Sequence, residues 1–398
     1  MRPTSRASLL RVFAPLLGRV PVGHLGYLWR RMRNEKPHRF AGQIRINTFF
    51  PPYPSPAFDR FCEAVAARRR VPFSVYLAAT GACPCDCRHC SYGHRRRDAL
   101  SPQQALDLVA QAKALGACTL GLTGGEPLLR DDLESLALAA KPEMATIVFT
   151  TGCGLDAARA RRLADAGVDC VTVGVESSEA AAHDAERRRE GSFAEAAAAV
   201  RACREAGLYT ALSTIGFREK LDSGELDRLY DLASRWKVGE LRVLAPVATG
   251  GLAGCASTML SPEEYRRLGE FHVRHNCRRG GPAVACFAYL ESDAMFGCGA
   301  GYHHLFIDAG GEVCPCDLTP LGFGNATAEP LADIWTRMER FFPAPRRGCL
   351  MRQIGRCLPA DGTALPLPRE ASEGLCAAPD PGAPLPEGYR RLLRNRAR

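Results

Sequence analysis

The sequence of 398 residues lacks an apolar run long enough to cross a membrane, because no stretch reaches the roughly 18 apolar residues of a transmembrane helix. The most apolar run near the N-terminus, residues 12–18, lies between Arg11 and Arg19 and contains Pro15. No small-residue cleavage site follows this run, which disfavours a secretory signal. Nothing in the composition indicates repeats or fibres, so we expect a globular protein.

Acidic residues are scarce in the first 70 residues, which hold 14 Lys and Arg against 3 Asp and Glu, a net charge of +11. We therefore expect residues 1–70 to form a basic N-terminal accessory region. Leucines and phenylalanines in its first 17 residues fall near helical spacing, with arginines around them. This stripe either packs on the body of the protein or lies on a membrane surface. Regularly interleaved aromatic residues are missing, so no nucleic-acid partner is expected.

The chain has 18 cysteines, but secreted disulfide scaffolds are much shorter and denser in cysteine. Cys118, Cys170 and Cys203 occur singly within apparent strands and helices and are expected to be small buried apolar residues. The other cysteines cluster, and in a reducing compartment such clusters indicate metal. We expect a cytoplasmic protein, with peripheral contact to a membrane through the N-terminal arm as the alternative.

From residue 71 to residue 282 the pattern alternates between apolar strands and amphipathic helices. Six such units favour a parallel sheet covered by helices. A full barrel of this kind has eight units, so the expected fold is α/β, a partial (β/α)6 barrel with ligands at the C-terminal ends of the strands. The expected strands are 73–80, 118–122, 145–150, 170–175, 209–215 and 241–244.

After about residue 280 the alternation stops. Residues 283–376 are rich in loops and hold six cysteines from Cys298 onward. A hairpin-like stretch at 305–316 lies among them. We expect a small loop-rich iron–sulfur C-terminal domain here, followed by a flexible tail at 377–398.

The most informative motif is Cys83-x3-Cys87-x2-Cys90, which directly follows the first expected strand. Three thiolates so close together can hold three irons of a cubane and leave the fourth iron open, whereas an electron-transfer cluster has four cysteine ligands. Cys85 lies between these ligands, and one short loop is not expected to fold all four thiols onto one cluster. The alternative is a zinc knot, although structural zinc usually takes two separated ligand pairs.

A second motif, Gly124-Gly125-Glu126-Pro127, stands at the end of the second expected strand. The two glycines allow a ligand to approach the backbone closely. The carboxylate of Glu126 can pair with an ammonium group. The alternative is an ordinary turn from strand to helix, since paired glycines are common in turns.

Together these two motifs resemble the radical SAM superfamily. The resemblance covers about residues 72–280, and residues 183–193 match the spacing of its peptide-modifying branch. It implies that the three cysteines bind a 4Fe–4S cluster and that the glycine-rich strand end holds the methionyl amine of S-adenosyl-L-methionine (SAM). It also implies that His89 and Tyr92 line the adenine side, and that Glu176 lies near the ribose hydroxyls.

The resemblance further implies a reaction. SAM bound to the open iron is cleaved reductively to a 5′-deoxyadenosyl radical, which abstracts a hydrogen atom from a substrate. A reductant such as flavodoxin or ferredoxin is expected as a partner. The expected substrate is a peptide in the maturation of a ribosomally made product, and the alternative is a lipid or a cofactor precursor at the membrane surface. A non-catalytic iron–sulfur or zinc interaction protein is the alternative from another class.

The C-terminal cysteines resemble the opening of the SPASM extension, in which Cys298 and Cys316 would bind an auxiliary 4Fe–4S cluster. That family has a further run of four closely spaced cysteines, and this chain offers only three dispersed ones. We therefore expect one auxiliary cluster, with zinc as the alternative. The expected ligands are Cys298, Cys316, Cys357 and Cys376, with Cys314 and Cys349 as substitutes.

Overall fold

The computed structural model describes residues 2–3, 6–93, 95, 99–358, 365–376 and 383–393. A nine-stranded sheet with the order β10-β9-β8-β7-β6-β5-β4-β11-β12 forms its centre. All neighbouring strands are parallel except β11 and β12, which form a hairpin. The strands are β4 (Ser74–Thr80), β5 (Thr119–Gly124), β6 (Ala145–Thr150), β7 (Cys170–Gly174), β8 (Thr210–Ile215), β9 (Glu240–Leu244), β10 (Ala283–Cys286), β11 (His304–Ile307) and β12 (Val313–Cys314). A separate three-stranded sheet contains β1 (Arg2–Pro3), β2 (His38–Phe40) and β3 (Gln43–Arg45).

Most of the long helices fall between consecutive strands of the large sheet, as in a (β/α) barrel. Serine caps begin two of them: Ser101 and Ser261 each precede a proline and form capping boxes. The helices are α1 (Arg6–Phe13), α2 (Val22–Met32), α3 (Pro56–Ala67), α4 (Pro102–Ala114), α5 (Leu133–Ala140), α6 (Ala157–Asp165), α7 (Ala180–Arg187), α8 (Ser192–Glu205), α9 (Arg218–Asp222), α10 (Glu225–Arg235), α11 (Pro262–Asn276), α12 (Phe287–Leu290), α13 (Leu331–Met338), α14 (Met351–Ile354), α15 (Arg369–Leu375) and α16 (Glu387–Leu392).

The expected partial barrel of parallel strands is confirmed, since all six expected strands are present as β4 to β9. The alternation does not stop near residue 280, however. Strand β10 adds a seventh parallel strand next to β9, and β11 pairs in parallel with β4 on the other side of the barrel strands. The expected boundary at 282/283 therefore falls directly before a strand of the large sheet, and the division into domains stays a prediction. Sequence periodicity does not reveal β10, because this strand has only four residues and is followed by a one-turn helix.

The N-terminal region packs into the body of the protein, so it is not a detachable arm. Leu9, Val12 and Leu16 are buried and belong to the same hydrophobic core as the barrel strands. Farther along, the buried Glu35 carboxylate lies 3.1 Å from the ring Nε2 of His272 in α11. The sequence left two positions open for the apolar stripe, packed on the body of the protein or lying on a membrane surface. Leu9, Val12 and Leu16 are packed on the body of the protein.

Part of the stretch expected to be a flexible tail is also packed. Helix α16 contacts α2, and its Tyr389 is buried with its hydroxyl 2.7 Å from Nδ1 of His303. The prediction of a mobile tail is therefore wrong for Glu387–Leu392. The expected tail residues 377–382 and 394–398 lie outside the described residues.

No helix within the described ranges is long and apolar enough to span a membrane.

Candidate functional site

The loop after β4 brings Cys83, Cys87 and Cys90 to the C-terminal edge of the sheet, and all three are partly exposed. The thiol of Cys85 is hydrogen-bonded to the sulfurs of both Cys83 and Cys87. This hydrogen bond, together with the positive charge of Arg187, lowers the pKa of Cys87 to about 6. Sequence spacing led us to exclude Cys85 from the expected ligands. In the structure, however, its sulfur lies beside those of Cys83 and Cys87.

The glycines of the second motif fit this cysteine loop against the end of β5. The backbone N–H of Gly125 donates to the carbonyl of Thr80 at 2.8 Å, and that of Glu126 donates to the carbonyl of Ala82 at 2.8 Å. A Cβ atom at Gly125 would lie 2.0 Å from the Ala82 oxygen, and Gly124 has a φ of +115°. Only glycine allows this approach, so the motif joins the loop to the strand.

The carboxylate of Glu126 is completely buried and accepts four hydrogen bonds from neighbouring residues. Oε1 accepts from the Thr150 hydroxyl at 2.7 Å and from the N–H of Leu128 at 3.1 Å, within the turn that Pro127 begins. Oε2 accepts from the N–H and the hydroxyl of Thr151, at 2.7 and 2.6 Å. Burial nevertheless raises the pKa of Glu126 above its ordinary value. An ammonium group that bound this carboxylate would have to share or replace one of the threonine hydrogen bonds.

Glu176, directly after β7, is the centre of a buried ionic network. Its carboxylate lies 3.3 Å from Nε2 of His89, 3.0 Å from Nη2 of Arg187 and 3.1 Å from Nζ of Lys220. Burial opposes ionisation of Glu176, but these three cations hold its pKa well below the ordinary value. In return, although burial favours neutral His89, Glu176 and Glu186 raise the pKa of His89 to about 9.

Arg187 connects this network to the cysteine loop. Its Nη1 lies 3.6 Å from the sulfur of Cys87, and its Nη2 donates to Glu176. Gly174 makes the position possible, because a Cβ atom there would lie 2.1 Å from Nη2. Sequence analysis assigned no role to Arg187 or Lys220. The only signal was that Arg187 falls within the stretch that matches a family spacing.

The loop after β9 covers the cysteine loop from the other side, and sequence analysis missed it. The N–H of Gly251 donates to the carbonyl of Cys90 at 2.9 Å. A Cβ atom at Gly250 would lie 2.1 Å from the same oxygen, and one at Gly251 would lie 2.4 Å from the oxygen of Arg88. The paired glycines at 250–251 were the sequence feature that could have indicated this close contact between the two loops.

Tyr92 was expected to line the adenine side. In the structure its hydroxyl accepts a hydrogen bond of 3.0 Å from the N–H of Ala309, which follows β11. Its ring packs edge-on against Phe306. Tyr92 therefore contacts the C-terminal hairpin. This contact could be predicted only by knowing that β4 pairs with β11.

Three C-terminal cysteines line one internal cavity: Cys298, Cys316 and Cys349. The thiol of Cys349 donates to Cys298 and lowers the pKa of Cys298 to about 6. Cys316, Asp317 and His304 also lie together, with potential ligand atoms within 4.8 Å of one another. The group at Cys316 offers one sulfur, one nitrogen and one carboxylate, whereas the three cysteines of the cavity offer the thiolates that an iron–sulfur cluster uses.

This grouping favours a set of auxiliary ligands that differs from the expected one. Cys357 is exposed and Cys376 is buried elsewhere in the core, and neither lines the cavity. Cys349, named only as a substitute, joins Cys298 and Cys316. The other substitute, Cys314, is buried next to Arg95, whose Nη1 lies 3.6 Å from its sulfur.

A sheet of parallel strands whose first loop carries three cysteines, with a second cysteine group behind it, defines a class of iron–sulfur enzyme. Residues 77–232 match the radical SAM superfamily, and residues 298–351 match SPASM, an iron–sulfur cluster-binding domain. The chain belongs to the radical SAM superfamily and carries a C-terminal SPASM domain. Its cofactors are accordingly a 4Fe–4S cluster, SAM and a SPASM auxiliary cluster.

Relatives of known activity cover most of the chain. A PqqA peptide cyclase of Streptomyces rochei is 31% identical over 319 residues, which are 77% of this chain and 84% of that protein. An AdoMet-dependent heme synthase of Nitratidesulfovibrio vulgaris is 25% identical over 66% of this chain and 78% of that protein. Among solved structures, SuiB of Streptococcus suis bound to precursor peptide SuiA has a TM-score of 0.56 and 16% identity, covering 83% of this chain and 78% of SuiB.

Proposed function

We propose that this radical SAM enzyme abstracts a hydrogen atom from a peptide and takes part in the maturation of a ribosomally made product. The observation that carries the proposal is the likeness to a PqqA peptide cyclase at 31% identity over 84% of its length. The likeness covers 77% of this chain, which also matches family models for both the radical SAM and the SPASM parts. We transfer only the class of substrate and not the particular bond that is formed.

When bound, the reduced cluster and SAM supply a 5′-deoxyadenosyl radical. We propose that Cys83, Cys87 and Cys90 hold this cluster. Arg187 then places a positive charge beside the Cys87 sulfur, which stabilises the thiolate form of that ligand. The contacts of Gly250 and Gly251 with the loop backbone fix the loop, so the cysteine positions are set before the cofactor binds.

We propose that Glu126 and Glu176 orient SAM from two sides. The threonine donors hold the Glu126 carboxylate at the end of β5, where an ammonium group can approach it. The carboxylate of Glu176, ionised by its three cations, is placed to accept hydrogen bonds from ribose hydroxyls. His89 would lie on the adenine side.

For the auxiliary cluster we propose Cys298, Cys316 and Cys349 as ligands. All three line the cavity inside the sheet, which is the position from which the cluster could exchange an electron with a substrate. Flavodoxin or ferredoxin is the proposed reductant. The zinc alternative is less well supported, because the domain matched at 298–351 is an iron–sulfur cluster-binding domain.

A cofactor precursor is the second candidate substrate. The likeness to an AdoMet-dependent heme synthase, 25% identical over 78% of its length, favours it. A small substrate would also suit the internal cavity of about 320 Å³.

We also propose peripheral contact with an anionic membrane. Six large hydrophobic side chains of the described residues are exposed, and four of them belong to the N-terminal region. Exposed arginines accompany them in the same segment. The four hydrophobic residues are Leu10, Leu17, Val22 and Trp29.

The substrate proposal is tested with anaerobically reconstituted protein, dithionite and SAM. Short peptides encoded beside the gene are supplied with deuterium on their carbon atoms. We expect 5′-deoxyadenosine to form and to carry deuterium from a peptide. If 5′-deoxyadenosine acquires deuterium only from a labelled cofactor precursor, the peptide proposal is wrong and the second candidate replaces it.

A further inference from the structure

An internal cavity of about 320 Å³ reaches from Ser74 and Thr119, which begin β4 and β5, toward the cofactor end of the strands. Its wall includes Thr123 and Phe149, which directly precede Gly124 and Thr150 of the SAM site. The volume is at the small end of the range for small-molecule sites, about 300–1,000 Å³. The three cysteines proposed for the auxiliary cluster line this same cavity, so the volume left beside a bound cluster has room for one chemical group and not for a folded peptide.

The wall of this cavity is mostly apolar, and Arg242 of β9 is a buried cation within it. The Arg242 guanidinium carbon lies 5.6 Å from the ring centre of Phe49, 5.1 Å from that of Phe149 and 5.2 Å from that of Phe287. Rings in this arrangement stabilise a cation and exclude water from it. Only 2% of Arg242 is exposed to solvent.

No direct counter-ion neutralises Arg242 within the described part of the chain. Its Nη1 donates to the hydroxyl of Thr48, and its guanidinium also hydrogen-bonds to Tyr76. Arg242 is linked to the Glu240 carboxylate through Thr48, whose hydroxyl and N–H both donate to that carboxylate. Over the same described residues, Nε of Arg242 has no hydrogen-bond partner.

A buried guanidinium without a direct counter-ion is costly, so the site suits an anion that comes from outside the chain. Burial raises the pKa of Glu240 to about 7, so near neutral pH Glu240 compensates the charge only in part. Of the two carboxylates on the cavity wall, Asp317 already lies 3.2 Å from Nε2 of His304, and Glu291 forms no ion pair with Arg242 within the described residues.

We propose that this cavity binds a substrate group that combines one carboxylate with an aromatic or aliphatic body, and that Arg242 receives the carboxylate. The proposal rests on the proposed function, because it specifies the chemistry of the group presented to the SAM site. The phenylalanines contact the apolar body, and the guanidinium forms charge-assisted hydrogen bonds with the carboxylate. Thr48 and Phe49 make the N-terminal region part of this substrate site.

The test uses 3-(4-fluorophenyl)propionate and its uncharged analogue, 3-(4-fluorophenyl)propanamide, as probes. Binding to the reconstituted protein with SAM is measured by fluorine NMR and calorimetry. We expect the acid to bind at least tenfold more tightly than the amide. Equal affinities, or no binding of either probe, would overturn the proposal.

The variant Arg242→Gln should lower the affinity for the acid at least tenfold and leave the affinity for the amide unchanged. Arg242→Lys should restore part of the difference, and Arg201→Gln, on the exposed face of α8, is the matched control. Unchanged binding of the acid to Arg242→Gln would contradict the proposal.

If Arg242→Gln does not fold, as judged by circular dichroism and iron content, Phe149→Leu replaces it. That variant should weaken acid and amide by the same factor, because it removes the contact with the apolar body. If neither affinity changes, the probes bind elsewhere and the proposal is wrong. Formation of 5′-deoxyadenosine by the wild-type protein is measured in parallel, and its absence would count against the proposed function and not against this cavity.

Discussion

The two cysteine groups differ in how the chain assembles them. Cys83, Cys87 and Cys90 come from eight consecutive residues in one loop, which the backbone of Gly125 and Gly251 holds in place. Cys298, Cys316 and Cys349 come from segments separated by 17 and 32 residues, which meet through long-range contacts such as the bridge between Cys298 and Arg346. The first group is a local property of the sequence, and the second is a property of the fold. The two groups should therefore respond differently to substitution.

The largest expected effect is in the local group. Replacing Cys83, Cys87 or Cys90 by Ala should each abolish 5′-deoxyadenosine formation, because the remaining two thiols cannot hold the cluster in an open-site geometry. Cys85→Ala is the matched control and should retain most activity. The hydrogen bonds of the Cys85 thiol to both neighbours make this control informative. If Cys85 proves as essential as the other three, the ligand assignment is wrong.

A smaller effect, on iron content, should separate the auxiliary cysteines. Cys349→Ala should lower the iron of the reconstituted protein by about one cubane, roughly four atoms, since Cys349 joins Cys298 and Cys316 at the cavity. Cys357→Ala should leave iron unchanged, because Cys357 is exposed and away from that cavity. If Cys357→Ala lowers the iron content and Cys349→Ala leaves it unchanged, the ligand set expected from the sequence spacing is the correct one. Zinc at the site with unchanged iron would reject an auxiliary cluster there.

The barrel strands and the cysteine loop could be predicted because each leaves a signal within a short window. Strand β6 was predicted with its observed bounds, Ala145–Thr150, and the Gly124–Gly125 pair was expected to allow a close approach. Fold class, enzyme class and cofactors were confirmed by the comparisons.

The cysteines that line the cavity could not be predicted as a group, because their contacts are long-range. A helical turn, α14, and the short turn Gly355–Cys357 separate Cys349 from Cys357, and they leave Cys357 at the surface. Spacing alone does not reveal which cysteine of such a pair faces inward. For the same reason Lys220 gave no signal, since it reaches Glu176 from a helix 44 residues away.

A moderate effect is expected at the SAM-binding end of the barrel. Glu126→Ala should weaken SAM binding by about 1.5–3 kcal/mol, the range for a hydrogen bond to a charged group, while cluster content stays normal. Thr151→Val is a useful comparison, because it removes one donor to Glu126 without removing the carboxylate. Its effect should be smaller. Unchanged SAM affinity in Glu126→Ala, measured by equilibrium dialysis, would remove Glu126 from the site.

The smallest effect concerns the N-terminal region. The double variant Val22→Ser, Trp29→Ser should reduce co-sedimentation with phosphatidylglycerol vesicles at low salt, since it removes two exposed apolar contacts. Deletion of residues 1–40 is not a clean test, because it also removes the buried Leu9, Val12 and Leu16. Salt should release the wild-type protein from the vesicles by screening its arginines. Wild-type protein that ignores the vesicles would contradict the membrane contact.

The most direct test of the comparison is the electron paramagnetic resonance spectrum of the reduced protein with and without SAM. Two triple variants are compared, one with Cys83, Cys87 and Cys90 changed to Ala and one with Cys298, Cys316 and Cys349 changed to Ala. We predict that SAM alters the spectrum of the second variant and leaves that of the first unchanged, because the residues proposed to orient SAM, Glu126 and Glu176, lie beside the loop cluster. A spectrum that still responds to SAM in the first variant, or no remaining signal from either centre in the second, would contradict the assignment of the two centres.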